Sequence, residues 1–234
     1  MTDLEVLEHA STPIGTIYLG RRHAPGVSGW VHEIQIDGAL LMSSIDPVSE
    51  RELATRALAM HPEVPRRILV GGLGLGYTAA AAREGAPDAE IVVVEKMDFV
   101  IDWMSRGLLP LSAAFADDGR LSVVQGDIYG DLLGPPASTY DVIVVDVDHA
   151  PDNPLSPASQ PFYTPAGQRQ VARHLSPGGV LAVWSATTSP AFAEVMAEVY
   201  ADARCDTVQW PDHEHPERPY CNVLFLGRLE TGQG

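Results

Sequence analysis

The sequence predicts a doubly wound α/β domain, and three observations predict it. Runs such as Ile91-Val92-Val93-Val94 and Val142-Ile143-Val144-Val145 carry no polar alternation, so they read as strands covered on both faces. From Arg67 onward such runs alternate with helical segments, which is what a mostly parallel sheet wound by helices requires. The 234 residues, 45% of them apolar, suffice for one large domain with a continuous core.

Taken in order, Thr16-Ile17-Tyr18-Leu19, Val31-His32-Glu33-Ile34-Gln35-Ile36 and Leu40-Leu41-Met42 read as short strands, the last following an Asp37-Gly38 hairpin signal. They make residues 1–45 a small N-terminal β appendage to an α/β domain over 46–234. Asp46-Pro47 opens a helix with Pro in its first turn; Leu53, Ala57, Leu58 and Met60 give it an apolar face, and His61-Pro62 ends it. The alternation then runs through strands at 68–70, 91–94, 121–124, 142–145 and 180–184. The intervening helices are expected at 77–83, 99–106, 165–174 and 191–200, with a short turn at 128–133. Two last strands, 207–210 and 222–226, have no helix between them and are expected to pair antiparallel at the end of the sheet, because a parallel pair needs a longer crossover.

Composition bounds the partners. A formal net charge of -16 opposes a phosphate backbone, so nucleic acid is not an expected partner. The same acidity would draw a cationic small molecule such as an amine, although solubility alone also explains it. Cys205 and Cys221 fall on separate strands without CxxC spacing, so they read as reduced packing residues and not as a disulfide or thiolate site. The N-terminus is acidic and no apolar run approaches the roughly 18 residues a bilayer span needs, so no membrane partner and a cytoplasmic location are expected.

The candidate cofactor site is Gly71-Gly72-Leu73-Gly74-Leu75-Gly76, lying between a strand and an alanine-rich helix. Glycines there, with Gly72, Gly74 and Gly76 as the binding candidates, permit positive φ and close approach of a ligand to backbone amides. Glu95 ends the next strand roughly 20 residues on, where a carboxylate can accept both ribose hydroxyls. Gly74-Leu75-Gly76-Tyr77-Thr78-Ala79 also satisfies a nicotinamide-type G-x-G-x-x-A pattern, so the turn alone leaves the cofactor open. Asp127 and Ile128, after the third strand, favour an adenosyl sulfonium, being an acid and an apolar residue placed for an adenine amino group and ring.

These segments together resemble the spermidine synthase family, which shares the Rossmann-like fold of S-adenosylmethionine-dependent methyltransferases. The resemblance spans most of the chain: Ile36-Asp37-Gly38, the strand and turn from Ile68 to Gly76, Glu95, Gly126-Asp127, Tyr140-Asp141-Val142-Ile143-Val144-Val145-Asp146, and Phe162-Tyr163. It implies S-adenosylmethionine, or its decarboxylated form, as cofactor and a homodimer as assembly. It makes Asp146 the base that takes a proton from an attacking amine, with Asp146 also beside the cofactor, and it puts Tyr163 near the acceptor. The family's second acid corresponds to His149; Asp148 or His149 itself would serve in its place, or the two simply cap a loop.

Two departures concern the acceptor end. Leu41 stands where the family carries a glutamine that holds the aminopropyl arm. Asp46-Pro47-Val48-Ser49-Glu50-Arg51-Glu52 lacks the family's tyrosine and histidine while keeping Asp46 and Glu52, and Glu50 in the same stretch is an acceptor-binding candidate. The expected activity is accordingly methylation of a small amine or hydroxyl acceptor. A divergent aminopropyltransferase is the alternative, and a non-catalytic cofactor-binding protein a third.

Two further segments carry less. Residues 212–218 concentrate His and acidic side chains but read as a solvated hairpin loop, so no metal is expected. The proline-rich stretch after Asp146, residues 151–157, reads either as a gate over the acceptor or as a stiff connection.

Overall fold

The computed structural model describes residues 4–12, 15–212 and 217–232. Strands β1 (Glu5–Thr12), β2 (Gly15–Arg22), β3 (Val31–Ile36) and β4 (Ala39–Ser43) form an antiparallel sheet in that spatial order. Asp37 and Gly38 join β3 to β4 with φ of 48° and 84°, the doubly left-handed geometry of a tight hairpin turn. Strand β1 was not expected from the sequence. As an edge strand that mixes Glu, His, Ser and Thr with its apolar residues, it shows no apolar run.

Helix α1 (Val48–Met60) follows, capped by Pro47 and closed by an extended His61. The chain then builds β5 (Arg67–Gly71), α2 (Tyr77–Gly85), β6 (Glu90–Glu95), α3 (Asp98–Ser105), α4 (Ser112–Ala116), β7 (Leu121–Gln125), α5 (Ile128–Leu133) and β8 (Tyr140–Val145). A 3-10 turn (Pro157–Tyr163), α6 (Pro165–Ala172), β9 (Leu175–Ser185), α7 (Pro190–Val199), β10 (Ala201–Trp210) and β11 (Tyr220–Arg228) complete it.

The seven-stranded sheet has the order β10-β11-β9-β8-β5-β6-β7. Strands β5 to β9 run parallel, and β11 is antiparallel to both β9 and β10, so the unlinked last pair closes one edge as expected. Alternate residues serve two cores. Ile68, Val70, Val142, Val144, Val180 and Ala182 pack against α1, α2 and α3, while Leu69, Ile143, Val145, Leu181 and Val183 pack against α5, α6 and α7. This two-sided burial is why these strands lack polar alternation. Ile17, Leu19 and Ile34 of the small sheet join the first core, so the appendage is seated on the same face as α1 and α2.

Two expectations need correction. β7 is not covered on both faces: it is the edge strand, paired only with β6, and Ser122 and Val124 are exposed. Cys205 and Cys221 are free, but both are exposed on the terminal strand pair, so they are not packing residues. Among the described residues no helix is long and apolar enough to cross a membrane.

Local capping fixes the last two helices. Thr164 accepts the Gly167 amide at 3.1 Å at the start of α6, and Ser189 accepts the Phe192 amide at 3.2 Å at the start of α7. Thr164→Ala is expected to cost about 1 kcal/mol of stability, read from the urea midpoint at unchanged m-value.

Candidate active site

The parallel strands deliver their carboxyl ends to one edge, where open α/β sheets bind ligands. There β5 runs into the glycine turn. Gly72, Gly74 and Gly76 have φ of 93°, 49° and 94°, the left-handed region the sequence reading required of them. Gly72 is the most constrained, since a Cβ there would lie 2.3 Å from the Asp146 carbonyl oxygen. The Asp146 amide in turn donates to the Gly71 carbonyl at 2.9 Å, so the turn and the end of β8 are one backbone unit. Ile128 closes the other side, with its side chain 2.6 Å from where a Gly71 Cβ would stand.

Glu95 ends β6 beneath this turn and is buried. Its two oxygens accept the Leu73 and Met97 amides, each at 2.8 Å. A carboxylate has about four lone-pair directions, so these two bonds fix the group and leave acceptor capacity for a diol. Asp127 caps α5 through the Tyr129 amide at 3.2 Å and takes Lys96 Nζ at 2.8 Å. Burial works against its charge, but Lys96 and the helix amides outweigh that and hold the carboxyl below its usual range.

Asp146 is the focus of the acceptor side. Thr78 Oγ1 donates to its Oδ2 at 2.6 Å. Burial foremost, and then the charge of Glu50, outweigh that hydrogen bond and push the Asp146 carboxyl up to about 7. Glu50, in the first turn of α1, is itself raised by burial against bonds from its own amide and from Ser49. Trp184 Nε1 donates to Ser49 Oγ at 3.0 Å, and Ser49 Oγ donates to Glu50 Oε2 at 2.8 Å, so β9 and α1 together orient this second carboxylate.

The remaining candidates fall in different places. Asp148 is buried and accepts the Leu155 amide and the Tyr163 hydroxyl, each at 2.8 Å; Tyr163 also meets the Tyr129 hydroxyl at 3.0 Å. His149 is exposed, and its carbonyl accepts the Ala186 amide at 2.9 Å. Among the described residues no hydrogen bond joins its ring to Asp146. Leu41 is bulged out of the β3/β4 ladder, where Gln35 pairs Leu40 and Ile34 pairs Met42, and it is exposed. Its neighbour Met42 instead stands over the glycine turn, with Sδ 3.2 Å from a Gly74 Cβ position. In the segment 212–218, residues 213–216 lie outside the described residues; among those described, no group of three or more His, Cys, Asp or Glu is placed to hold a metal.

Sequence reasoning missed Thr78, Ser49 and Trp184. Thr78 had a legible signal, as the one hydroxyl in an otherwise alanine run through residue 82. Trp210 ends β10, stacks on Tyr220 at 5.4 Å, and its buried Nε1 has no hydrogen-bond partner among the described residues.

No protein-family model matches the chain. Putrescine N-methyltransferase 2 of Nicotiana tabacum is 34% identical over 117 residues, which is 50% of this chain and 31% of the relative. Spermidine synthase 2 of Hyoscyamus niger is 30% identical over 146 residues, or 62% of this chain and 46% of the relative. The match thus spans a third to a half of the length of these curated relatives. Over 99% of the chain, the fold superposes on spermidine synthase from Thermotoga maritima with a TM-score of 0.72 at 18% identity, covering 75% of that chain. The chain is similar in fold to solved spermidine synthases. A spermidine synthase solved in complex with the transition state analogue AdoDATO gives a TM-score of 0.71 at 17% identity, with 74% of that chain covered. The chain therefore carries the seven-stranded, mostly parallel sheet that its sequence implied, with a small antiparallel sheet before it, in the fold of solved spermidine synthases.

Proposed function

We propose that this chain is an S-adenosylmethionine-dependent methyltransferase acting on a small amine or hydroxyl acceptor, with a cationic amine favoured. The observation that carries the proposal is the close approach of Gly72 to the Asp146 main-chain oxygen, which ties the glycine turn to the end of β8, the point that also carries the Asp146 carboxyl, raised by burial. The cofactor fits the residues present. Gly72, Gly74 and Gly76 would take the methionine side, Glu95 the ribose, and Asp127 with Ile128 the adenine. When bound, it supplies a methyl carbon on a sulfonium centre. Asp146 would hold the acceptor and take the proton its nitrogen must lose, since an ammonium has no lone pair with which to attack. Glu50 supplies a second negative charge for a cationic acceptor, and the remainder of catalysis is positioning.

Methyl transfer is preferred over aminopropyl transfer because the β4 segment sets the apolar Met42 over the turn, and because a putrescine N-methyltransferase is among the relatives. The likeness to spermidine synthases supports aminopropyl transfer from decarboxylated S-adenosylmethionine as the second reading. Calorimetry with both cofactors, then mass spectrometry of reactions with putrescine, separates them. A gain of one methyl group is expected; an added aminopropyl group would establish the second reading, and binding without turnover across a broad acceptor set would leave only a binding protein. Glu95→Gln is expected to weaken cofactor affinity by roughly tenfold in the same titration, the order expected for losing a charged hydrogen-bond acceptor.

A further inference from the structure

The segment after β8 carries Asp146, His149 and the proline-rich stretch, and it is held at several points. The His149 carbonyl takes the Ala186 amide at 2.9 Å, and Asn153 donates its amide to the Ala150 carbonyl at 3.0 Å. Ser189 Oγ donates to Asp152 Oδ1 at 2.9 Å, tying the stretch to the start of α7. The centre of the arrangement is Asp148, which is 4% exposed and has both oxygens engaged, Oδ1 by the Leu155 amide and Oδ2 by Tyr163. Behind it, the Tyr163 hydroxyl meets that of Tyr129, on the helix that begins just after Asp127. The tyrosine rings are themselves fixed: Tyr163 meets Phe162 and Phe192 edge-on, each at 5.1 Å, and Tyr129 meets Phe162 at 5.0 Å.

We infer that Asp148 is a positioning residue: by clasping the Leu155 amide and the Tyr163 hydroxyl, it makes the segment after β8 a standing wall of the acceptor side and not a gate that closes on binding. Charge-assisted hydrogen bonds from an N–H and an O–H to one buried carboxylate are strong, and breaking either would leave that charge incompletely satisfied away from water. Burial, and next the Asp148 charge, push the Tyr163 hydroxyl well above its ordinary range. Burial and then the Tyr163 and Asp148 neighbours do the same to Tyr129. Both hydroxyls therefore stay protonated, and the Tyr163 donor to Asp148 is present throughout the neutral range. Fixing the wall also fixes the backbone two residues before it, where Asp146 projects.

The kinetic part of this inference rests on the proposed transfer reaction; the structural part does not. NMR-detected hydrogen exchange at the Leu155 amide reads the clasp directly. The wall requires that amide to be protected in the free protein, with less than a twofold change on adding S-adenosylhomocysteine and putrescine. In Tyr163→Phe, which removes one hydroxyl and keeps the ring, and in Asp148→Asn, exchange should quicken at least tenfold. Methyl-transfer assays of Tyr163→Phe should show the KM for putrescine raised at least fivefold, with the calorimetric Kd for S-adenosylhomocysteine within twofold of wild type. A Leu155 amide that exchanges freely in the free protein and becomes protected only with ligands would overturn the inference, as would exchange unchanged in both variants. So would an unmoved KM where exchange has quickened. If the wild-type protein transfers no group to putrescine, the transfer proposal fails, and the exchange data still decide between wall and gate.

Discussion

Asp146→Asn is expected to lower methyl transfer about 10²–10⁴-fold, the usual contribution of a positioned general base. The amide keeps the shape and can still meet Thr78, so the glycine turn and its cofactor should be little affected. In the wild-type protein the active form of Asp146 is the carboxylate, and its carboxyl is held at about 7. The rate should therefore climb with pH through neutrality and level off above it, and this limb should vanish in the Asn variant. Glu50→Gln removes the neighbouring negative charge that opposes ionisation, so the limb should move to lower pH.

The same carboxyl links stability to pH with a definite sign. Folded Asp146 keeps its proton up to about 7, whereas the ordinary value is 3.8, so between these limits the folded chain binds more protons than the unfolded one. Its contribution to stability is greatest below that ordinary value and is lost as pH rises toward neutrality. Asp146→Asn should consequently melt higher than wild type near pH 8, with the difference fading toward pH 4. Thermal melts across that range check it, and a variant less stable at every pH would contradict it.

Gly72→Ala is the second large effect. The backbone φ of 93° strains any side chain there, and the new Cβ would stand 2.3 Å from the carbonyl oxygen of Asp146, whose amide is bonded to the Gly71 carbonyl. Strain of about 1–3 kcal/mol and overpacking of a similar size together predict a loss of about 2–6 kcal/mol. Because the oxygen belongs to Asp146, relief must come by moving the turn away from the base, and cofactor affinity should fall at least tenfold with it. Gly74→Ala is a graded comparison, since its Cβ would meet only the flexible Met42 side chain at 3.2 Å. Gly119→Ala, with open space around it, is a neutral control. Urea unfolding and cofactor titration of the three variants should rank them in that order of damage.

The fold was legible because parallel strands buried on both faces must be apolar throughout, as Val142 to Val145 are, and because glycines at 72, 74 and 76 have few uses other than a left-handed turn. Glu95 was legible from its spacing to that turn. What the sequence hid lies where contacts join distant segments. Nothing in Ser49 or Trp184 announces a hydrogen bond across 135 positions that orients Glu50. Asp148 and His149 are adjacent in the chain and were equally eligible as bases, and only packing separates a buried acid with both oxygens engaged from an exposed imidazole. β1 and the exposed face of β7 escaped for a common reason: edge strands do not need the two-sided apolar pattern by which strands are read.

The most direct test of the account compares wild type with Asp146→Asn at about pH 8, following transfer of labelled methyl from S-adenosylmethionine to putrescine alongside calorimetric cofactor affinity. The account predicts labelled product from wild type, a loss of at least about 100-fold in the variant, and a cofactor Kd changed by no more than about threefold. Equal labelling by the two proteins, or no labelling by wild type, would contradict it.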